Sequence, residues 1–469
     1  MPPSRIVFAL SLALVAVACG SSSSQDAPAP PAPPAPDPLA LVPAVDENPD
    51  PNVLETTFEA REATTAYGAS VPTPVWAYEG RVPGPILEAK VGDRIIIKVK
   101  NSLPEATSIH WHGVRLHAAM DGSMAAQGPI PPGGTFRYEF TLKDAGLFWY
   151  HPHIRSDVQV RKGLYGAIRV RGPNEPQVDD ERVLMLDDVK LKPDGTIGEY
   201  LDDRSKMMGR EGNTLLVNGK TDATLSLRAG AAVRLRLVNV ANGRFFNLRL
   251  PGHTWRVIGT DGGLLAKPYD TERLLIAPGE RYDVLVIPSG APRSVIELLD
   301  DPYDRGHDSG QLPTLAVAHV KLTDEPPLAG RALPVAFAGV AALPPAATSI
   351  PVKLDEATRN GDLVFTVNGN VFPDVPPVMV ERGGLRFIDV ENASEMDHPF
   401  HLHGFFFQVL ERNGAPVALD SSGNKDTVIV PAKGRLKLLT RFDEPGMWMY
   451  HCHILEHAEG GMMGMVHVK

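Results

Sequence analysis

The chain has 469 residues, 43% hydrophobic and 22% charged, with a net charge of −10 and no basic run. That composition suits a soluble globular protein of about two to four domains and argues against nucleic acid as a partner. Glycine (43) and proline (44) are both abundant, the punctuation of many short strands joined by turns.

The first nineteen residues read as an export signal. A single Arg5 is followed by an apolar run and then by small residues ending at Cys19, too short a stretch for a good membrane span. "VAVAC-GSSSS" resembles a bacterial lipoprotein signal, in which Cys19 becomes the lipidated first residue. Residues 20–48 are rich in Ser, Pro and Ala and are expected to form an extended tether. If lipid consumes Cys19, Cys452 is the only cysteine left, a free thiol or a ligand with no partner for a disulfide.

Beyond the tether one pattern occurs three times. "VGDRIIIKVKN" (91–101), "AGAAVRLRLVN" (229–239) and "RGGLRFIDVEN" (382–392) each combine a glycine turn, an alternating strand and a closing Asn. A second turn-plus-strand block follows each: "PPGGTFRYEF" (131–140), "APGERYDVLV" (277–286) and "PAKGRLKLLT" (431–440). In the first and third copies a further glycine, Gly146 or Gly446, opens "GLFWYHPH" or "GMWMYHCH"; the middle copy has no such histidine strand. The repeats predict three β-sandwich domains, at 49–172, 173–325 and 326–469. Helix signals are weak, and "LPVAFAGVAALPPAATSIP" (333–351) reads as a long linker.

Ten of the 15 histidines fall in four short motifs: "HWHG", "HPH", "HPFHLHG" and "HCHILEH". Residues two apart on a strand share a face, so an H-x-H pair presents two imidazoles side by side. One such pair is weak evidence, because a satisfied core histidine is the commoner explanation. Four at matched places in two repeats point to a metal cluster. Cys452, His457 and Met462 follow at spacings of five, and His398 is the histidine of its motif outside the H-x-H pair. Two imidazoles, a thiolate and a weak thioether are the composition of a blue-copper electron-transfer centre. His451 and His453 then point to the opposite face, so Cys452 joins two sites through covalent bonds. His117, His253, His307, His319 and His467 are isolated and read as surface or core residues.

These four motifs, in this order and at the two ends of the chain, resemble those of the multicopper oxidases: laccases, bilirubin oxidases and bacterial cuprous oxidases. The resemblance spans about 50–469 and includes "VPGPILEAKVGD", the "PPGG" turn and "GLYGAIRV". It implies an all-β chain of three cupredoxin-like Greek-key sandwich domains and four coppers. By resemblance, His398, Cys452 and His457, with Met462 axial, bind the type 1 copper. His110 and His401 bind the type 2 copper. His112, His151 and His453 bind one type 3 copper, and His153, His403 and His451 the other. Dioxygen is reduced to water at this cluster by electrons arriving through Cys452. Met463 and Met465 compete with Met462 for the axial place, or are ordinary strand residues. A methionine there implies a lower potential than a non-coordinating residue would.

Asp121, nine residues after His112, stands where the family often has an acidic residue near the type 2 copper; it also reads as an Asp-Gly turn residue. Many bacterial relatives carry Glu directly after the type 1 histidine. Here that position is Ala458, and Glu459 or Glu456 is the second candidate proton donor.

The electron donor is expected to be a phenol, as in laccases, with Cu(I) or another metal ion as the alternative. Met207 and Met208 in "SKMMGREG" read as a soft-ligand site for Cu(I) or as loop and core residues. A two-domain copper nitrite reductase would lack the paired type 3 histidines and the third domain. A copper carrier or structural sandwich array would not need ten cluster histidines. The resemblance further implies a monomer, and the N-terminal signal implies a chain exported to the periplasm or outer membrane and held by lipid on Cys19.

Overall fold

The computed structural model describes residues 37–67, 71–199, 202–307 and 309–469. The expected export leader and residues 20–36 of the expected tether lie outside them. No helix among the described residues is long and apolar enough to cross a membrane.

The chain forms three successive pairs of sheets. In the first pair, a four-stranded sheet runs Thr73–Tyr78, Val53–Thr65, Arg94–Asn101, Thr135–Thr141. Against it lies Leu87–Lys90, Gly166–Arg171, Gly146–His151, His110–His112. Tyr138 and Phe140 turn into the core while Arg137 stays exposed, the period-two alternation of a half-buried strand. The short strand His110–His112 (β1) and its neighbour Gly146–His151 (β2) are buried along their whole length, and helix Ser156–Arg161 (α1) follows them. The middle pair has six and five strands, and its six-stranded sheet includes Arg281–Val286 (β3). Its one described α-helix is Asp203–Met208 (α2).

The third pair repeats the first. Its inner five-stranded sheet contains His398–Leu402 (β4), Thr427–Val430 (β5), Gly446–Cys452 (β6) and Met463–Val468 (β7), with helix Leu455–Glu459 (α3) between the last two.

The closing Asn of each repeat has one job, done three times. Asn101 Nδ2 donates to the carbonyls of Glu105 and Ile130, Asn239 Nδ2 to Arg244 and Ile276, and Asn392 Nδ2 to Met396 and Val430. In each case Oδ1 also accepts the amide two residues on. All three side chains are buried, where carbonyls without donors would each cost about 1–3 kcal/mol. The repeated Asn therefore ties the strand end to the loop beyond it, and in the first and third domains those loops lead to the histidines.

The tether reading requires a correction at its C-terminal end. Leu39 is buried in the core of the middle sandwich, and its carbonyl accepts from Asn218 Nδ2 at 2.7 Å. Pro43 pairs with Ile86, and the Ala44 amide donates to the Ile86 carbonyl. Leu39 and Leu41 give residues 38–48 apolar anchors that the Pro/Ala composition conceals.

Candidate functional site

The cross-strand register brings the histidines together. On β1 and β2, His110 stands opposite His151. On β4 and β6, His401 stands opposite His451 and Phe400 opposite Cys452. The two sheets present these faces to each other across the boundary between the first and third domains. His110 stacks on His403 and His112 on His401, with ring centroids 3.8 Å apart in both pairs. His453 lies against His112 and His151 at 4.9 and 5.6 Å, and His153 against His451 at 5.1 Å. All eight rings are buried.

The hydrogen bonds on the outer side of this cage fix which nitrogen faces inward. Nδ1 donates to the Asp121 carbonyl from His110, to the Pro152 carbonyl from His151 and to the Asp426 carbonyl from His401. His403 Nδ1 donates to the Asp121 carboxylate at 2.9 Å, and His451 Nδ1 to the Cys452 carbonyl at 2.8 Å. A neutral imidazole has one N–H, so each of these five rings turns a bare lone pair on Nε2 into the cage. His403 and His451 bring two such lone pairs to 3.0 Å, and the Nε2 atoms of His110, His151 and His401 have no partner. Lone pairs facing one another in a dry interior repel, and cations between them relieve that repulsion. The cage therefore fits a metal cluster.

Burial lowers the pKa of nine of the ten motif histidines, to about 3 for His153 and His398. These nine rings are neutral at physiological pH, the form that ligates metal. For Asp121 burial opposes ionisation, but the facing imidazoles of His403 and His110 hold its pKa well below the usual carboxylate range.

Three-nitrogen convergences include His153, His403 and His451, and His110, His401 and His403. His112 and His151 converge with His110, whereas His453 meets both rings in edge-type contacts.

The second site lies wholly in the third domain. Cys452 Sγ is 3.5 Å from His398 Nδ1 and 3.7 Å from His457 Nδ1, and those nitrogens are 3.2 Å apart. His398 Nε2 bonds Ser394 Oγ at 2.8 Å, which leaves Nδ1 free to face the sulfur. The Ile454 amide donates to Sγ, and Phe365 stacks on His457 at 3.9 Å. Burial pushes the Cys452 thiol pKa up, so a bound cation is what favours its thiolate. Two imidazoles and one sulfur with inward lone pairs fit a copper ion.

Met462 is fully buried beside this set; its amide donates to the His457 carbonyl and its own carbonyl accepts from Cys452. Met463 and Met465 lie in β7 opposite His451 and Met449, and Met463 packs in a separate apolar cluster with Met449 and Ala458.

The two acidic candidates on α3 part company. The Glu459 carboxylate accepts from the Ser156 amide and hydroxyl at the start of α1, three residues beyond His153. The Glu456 carboxylate faces the middle domain, accepting from the Arg210 amide and Asn242 Nδ2.

His457 presents no exposed edge. The ring is fully buried, and its Nε2 donates to the Met207 carbonyl of α2 at 2.8 Å. Met208 is buried and Met207 is half-buried against the core. Sequence reasoning also missed Asp426 and Arg281, which pair beside His112 and His401, and Trp149, which stacks on His151 at 4.2 Å. Their one sequence signal is a charge or an indole in or directly beside an apolar strand.

Comparison with known proteins agrees with this construction. Multicopper oxidase family models match residues 59–175, 180–294 and 344–469. The multicopper oxidase MmcO of Mycobacterium tuberculosis is 32% identical over 422 residues, which cover 82% of this chain and 81% of that protein. The solved structure of a Campylobacter jejuni multicopper oxidase, described as a metallo-oxidase, aligns with a TM-score of 0.82 at 30% identity, covering 92% of this chain and 94% of that one. A laccase-like multicopper oxidase from Ochrobactrum sp., described as active towards lignin model compounds and lignosulfonate, aligns with a TM-score of 0.80 at 27% identity, covering 92% of this chain and all of that one. With cupredoxin-like sandwiches, an inward-facing imidazole cage and a His-Cys-His set one residue away, this chain belongs to the multicopper oxidases, copper-dependent oxidoreductases that use dioxygen as electron acceptor.

Proposed function

We propose that the chain binds four coppers: one would be held by His398, Cys452, His457 and Met462, and three would be held in the cage. His110 and His401 hold the type 2 ion. His112, His151 and His453 hold one type 3 ion, and His153, His403 and His451 the other. Bound copper supplies one-electron redox chemistry at the sulfur site and four-electron reduction of dioxygen to water in the cage. The observation that carries this reading is the inward set of imidazole nitrogens: those of His110, His151 and His401 have no partner, and those of His403 and His451 face each other at 3.0 Å.

The side chains have distinct tasks. Cys452 links the sites covalently, because His451 and His453 flank it and belong to the cage. Asp121 orients His403 and stands within 3.3 Å of His110 Nδ1, so as a carboxylate it is placed to accept and pass on a proton beside the type 2 position. Glu459 is the second proton donor, since its carboxylate lies toward the His153 end of the cage while Glu456 is occupied by the middle domain.

The donor side is narrower than an open imidazole edge would make it. With the Met207 carbonyl on His457 Nε2, small donors such as Cu(I) are favoured over bulky phenols, and both classes remain substrates. The named relatives fit that span, one a metallo-oxidase and the other active on lignin compounds. Oxygen uptake with Cu(I) and with a phenol tests it. Faster turnover of a bulky phenol would contradict the ordering.

The chain is an exported monomer with domains at 49–172, 173–325 and 326–469, and lipid on Cys19 anchors it in the periplasm or at the outer membrane. Fatty-acid labelling that is lost in Cys19→Ser tests the anchor, and unlabelled wild-type protein would refute it.

A further inference from the structure

The middle domain supplies none of the motif histidines, yet one of its side chains reaches the cage. Arg281 opens β3 and is 1% exposed. Its Nε donates to the Leu147 carbonyl on β2, four residues before His151, at 3.1 Å. Its Nη1 donates to the Gly279 carbonyl at 3.1 Å, and its Nη2 to the Asp261 carbonyl at 3.2 Å, both in its own domain. The two Nη atoms also grip the Asp426 carboxylate of the third domain, Nη1 to Oδ1 at 2.6 Å and Nη2 to Oδ2. A guanidinium has five donors in a rigid fork, and here they engage all three domains.

Asp426 passes that grip to the cage. Its Oδ1 accepts from His112 Nε2 at 3.2 Å, which turns the unpartnered Nδ1 of His112 inward. Its backbone carbonyl accepts from His401 Nδ1 at 2.9 Å. The Thr427 hydroxyl touches Asp426, His112 and His401 at 2.9, 3.2 and 3.1 Å. Because His112 and His401 stack on each other from different domains, a shift of Asp426 would change the gap between them.

The surrounding backbone is shaped to this contact. Gly113 has φ +83°, and a Cβ there would lie 2.4 Å from Arg281 Nη2 and 2.7 Å from Asp426 Oδ2. Gly279 has φ +86°, and a Cβ there would meet the His453 ring at 2.8 Å. A second layer supports the clamp: Lys425 pairs with Asp261 and Glu280, each at 3.2 Å, and Asp261 Oδ2 accepts the Thr427 amide.

We infer that Arg281 is a positioning residue for the cage: it locks Asp426 and, through it, the orientation of His112 and His401 and the spacing between the first and third domains. The histidine-free domain is thereby part of the metal site. This rests on the reading of the cage as a copper cluster.

The test uses the full chain loaded with Cu(II), as wild type, Arg281→Met, Arg281→Lys and Asp426→Asn. Copper content, the blue absorption band and the type 2 electron paramagnetic resonance signal are read together. Wild type lacking cage copper would defeat the underlying reading, separately from this inference. Given a loaded wild type, Arg281→Met is expected to keep the blue band and hold cage copper about 10–100-fold more weakly, with an altered type 2 signal. Arg281→Lys, with the charge but not the fork, is expected to recover part of that affinity. Asp426→Asn is expected to alter the type 2 signal at an unchanged blue band, and it decides the matter if Arg281→Met does not fold. A wild-type type 2 signal and cage affinity in Arg281→Met or Asp426→Asn would overturn the inference. Loss of the blue band in step with cage copper in Asp426→Asn would do so too, because the role would then be general stability.

Discussion

The two candidate copper sites share a strand and differ in how they are built. The sulfur site draws His398, Cys452 and His457 from one domain, and its outer contacts come from Ser394 in the same domain and from α2. The cage takes four rings from each of two domains, and its geometry is only as good as the fit between them. One site is a product of local folding and the other of domain docking. Buried charges such as Arg281 and Asp426 are a device for docking, because a broken pair in the interior is expensive whichever partner is lost.

The comparison can be broken most severely at the residue the sites share. Cys452→Ser is expected to abolish the blue band and to bring oxygen uptake down to the buffer blank. Turnover at the wild-type level would end the account of Cys452 as the link. The cage alone is addressed by Asp121→Asn, which removes a carboxylate bonded to His403 and leaves the sulfur site untouched. It should slow reoxidation by dioxygen by about 10²–10⁴-fold with type 1 reduction by the donor unchanged, as followed by stopped-flow absorbance. On the sulfur side, Ser394→Ala frees His398 Nε2 and should weaken copper there by about 10–100-fold while the type 2 signal stays as in wild type.

Acid should act on both sites in the copper-free protein. The nine lowered imidazole pKa values mean that the unfolded chain binds more protons than the folded one below pH ~6.5. Stability is therefore fully present above that pH and is lost as pH falls toward the folded values, about 3 for His153 and His398. Carboxyls raised by burial work the other way, Asp187 to about 7 and Asp300 to about 6 among them, but they are fewer than the imidazoles. Thermal unfolding of copper-free protein should show a midpoint that drops from pH 7 to pH 5. A flat or rising midpoint would contradict the buried, neutral state of the rings.

Much of this was legible in the sequence, for a physical reason. Strand geometry has a fixed period of two, so H-x-H on a strand can mean only two rings on one face, and the paired glycine turns showed that two domains present such faces. The closing Asn was visible as a repeat, although its two carbonyl partners were not. What stayed hidden depends on long-range packing. Asp426 and Arg281 are 145 residues apart, and each looks like an ordinary solvated charge beside a strand. The Met207 carbonyl over His457 is a backbone group and has no residue signature. The packed residues 38–48 were masked by the proline-rich composition around two leucines.

The central claim is that one chain builds two separable copper sites, one within a domain and one between domains. The most direct test is the copper content of wild type and Cys452→Ser, measured with the type 2 resonance signal. The account predicts that the variant loses one copper of about four, together with the blue colour, and keeps the type 2 signal. Loss of all copper, or a full complement with the colour gone, would contradict it.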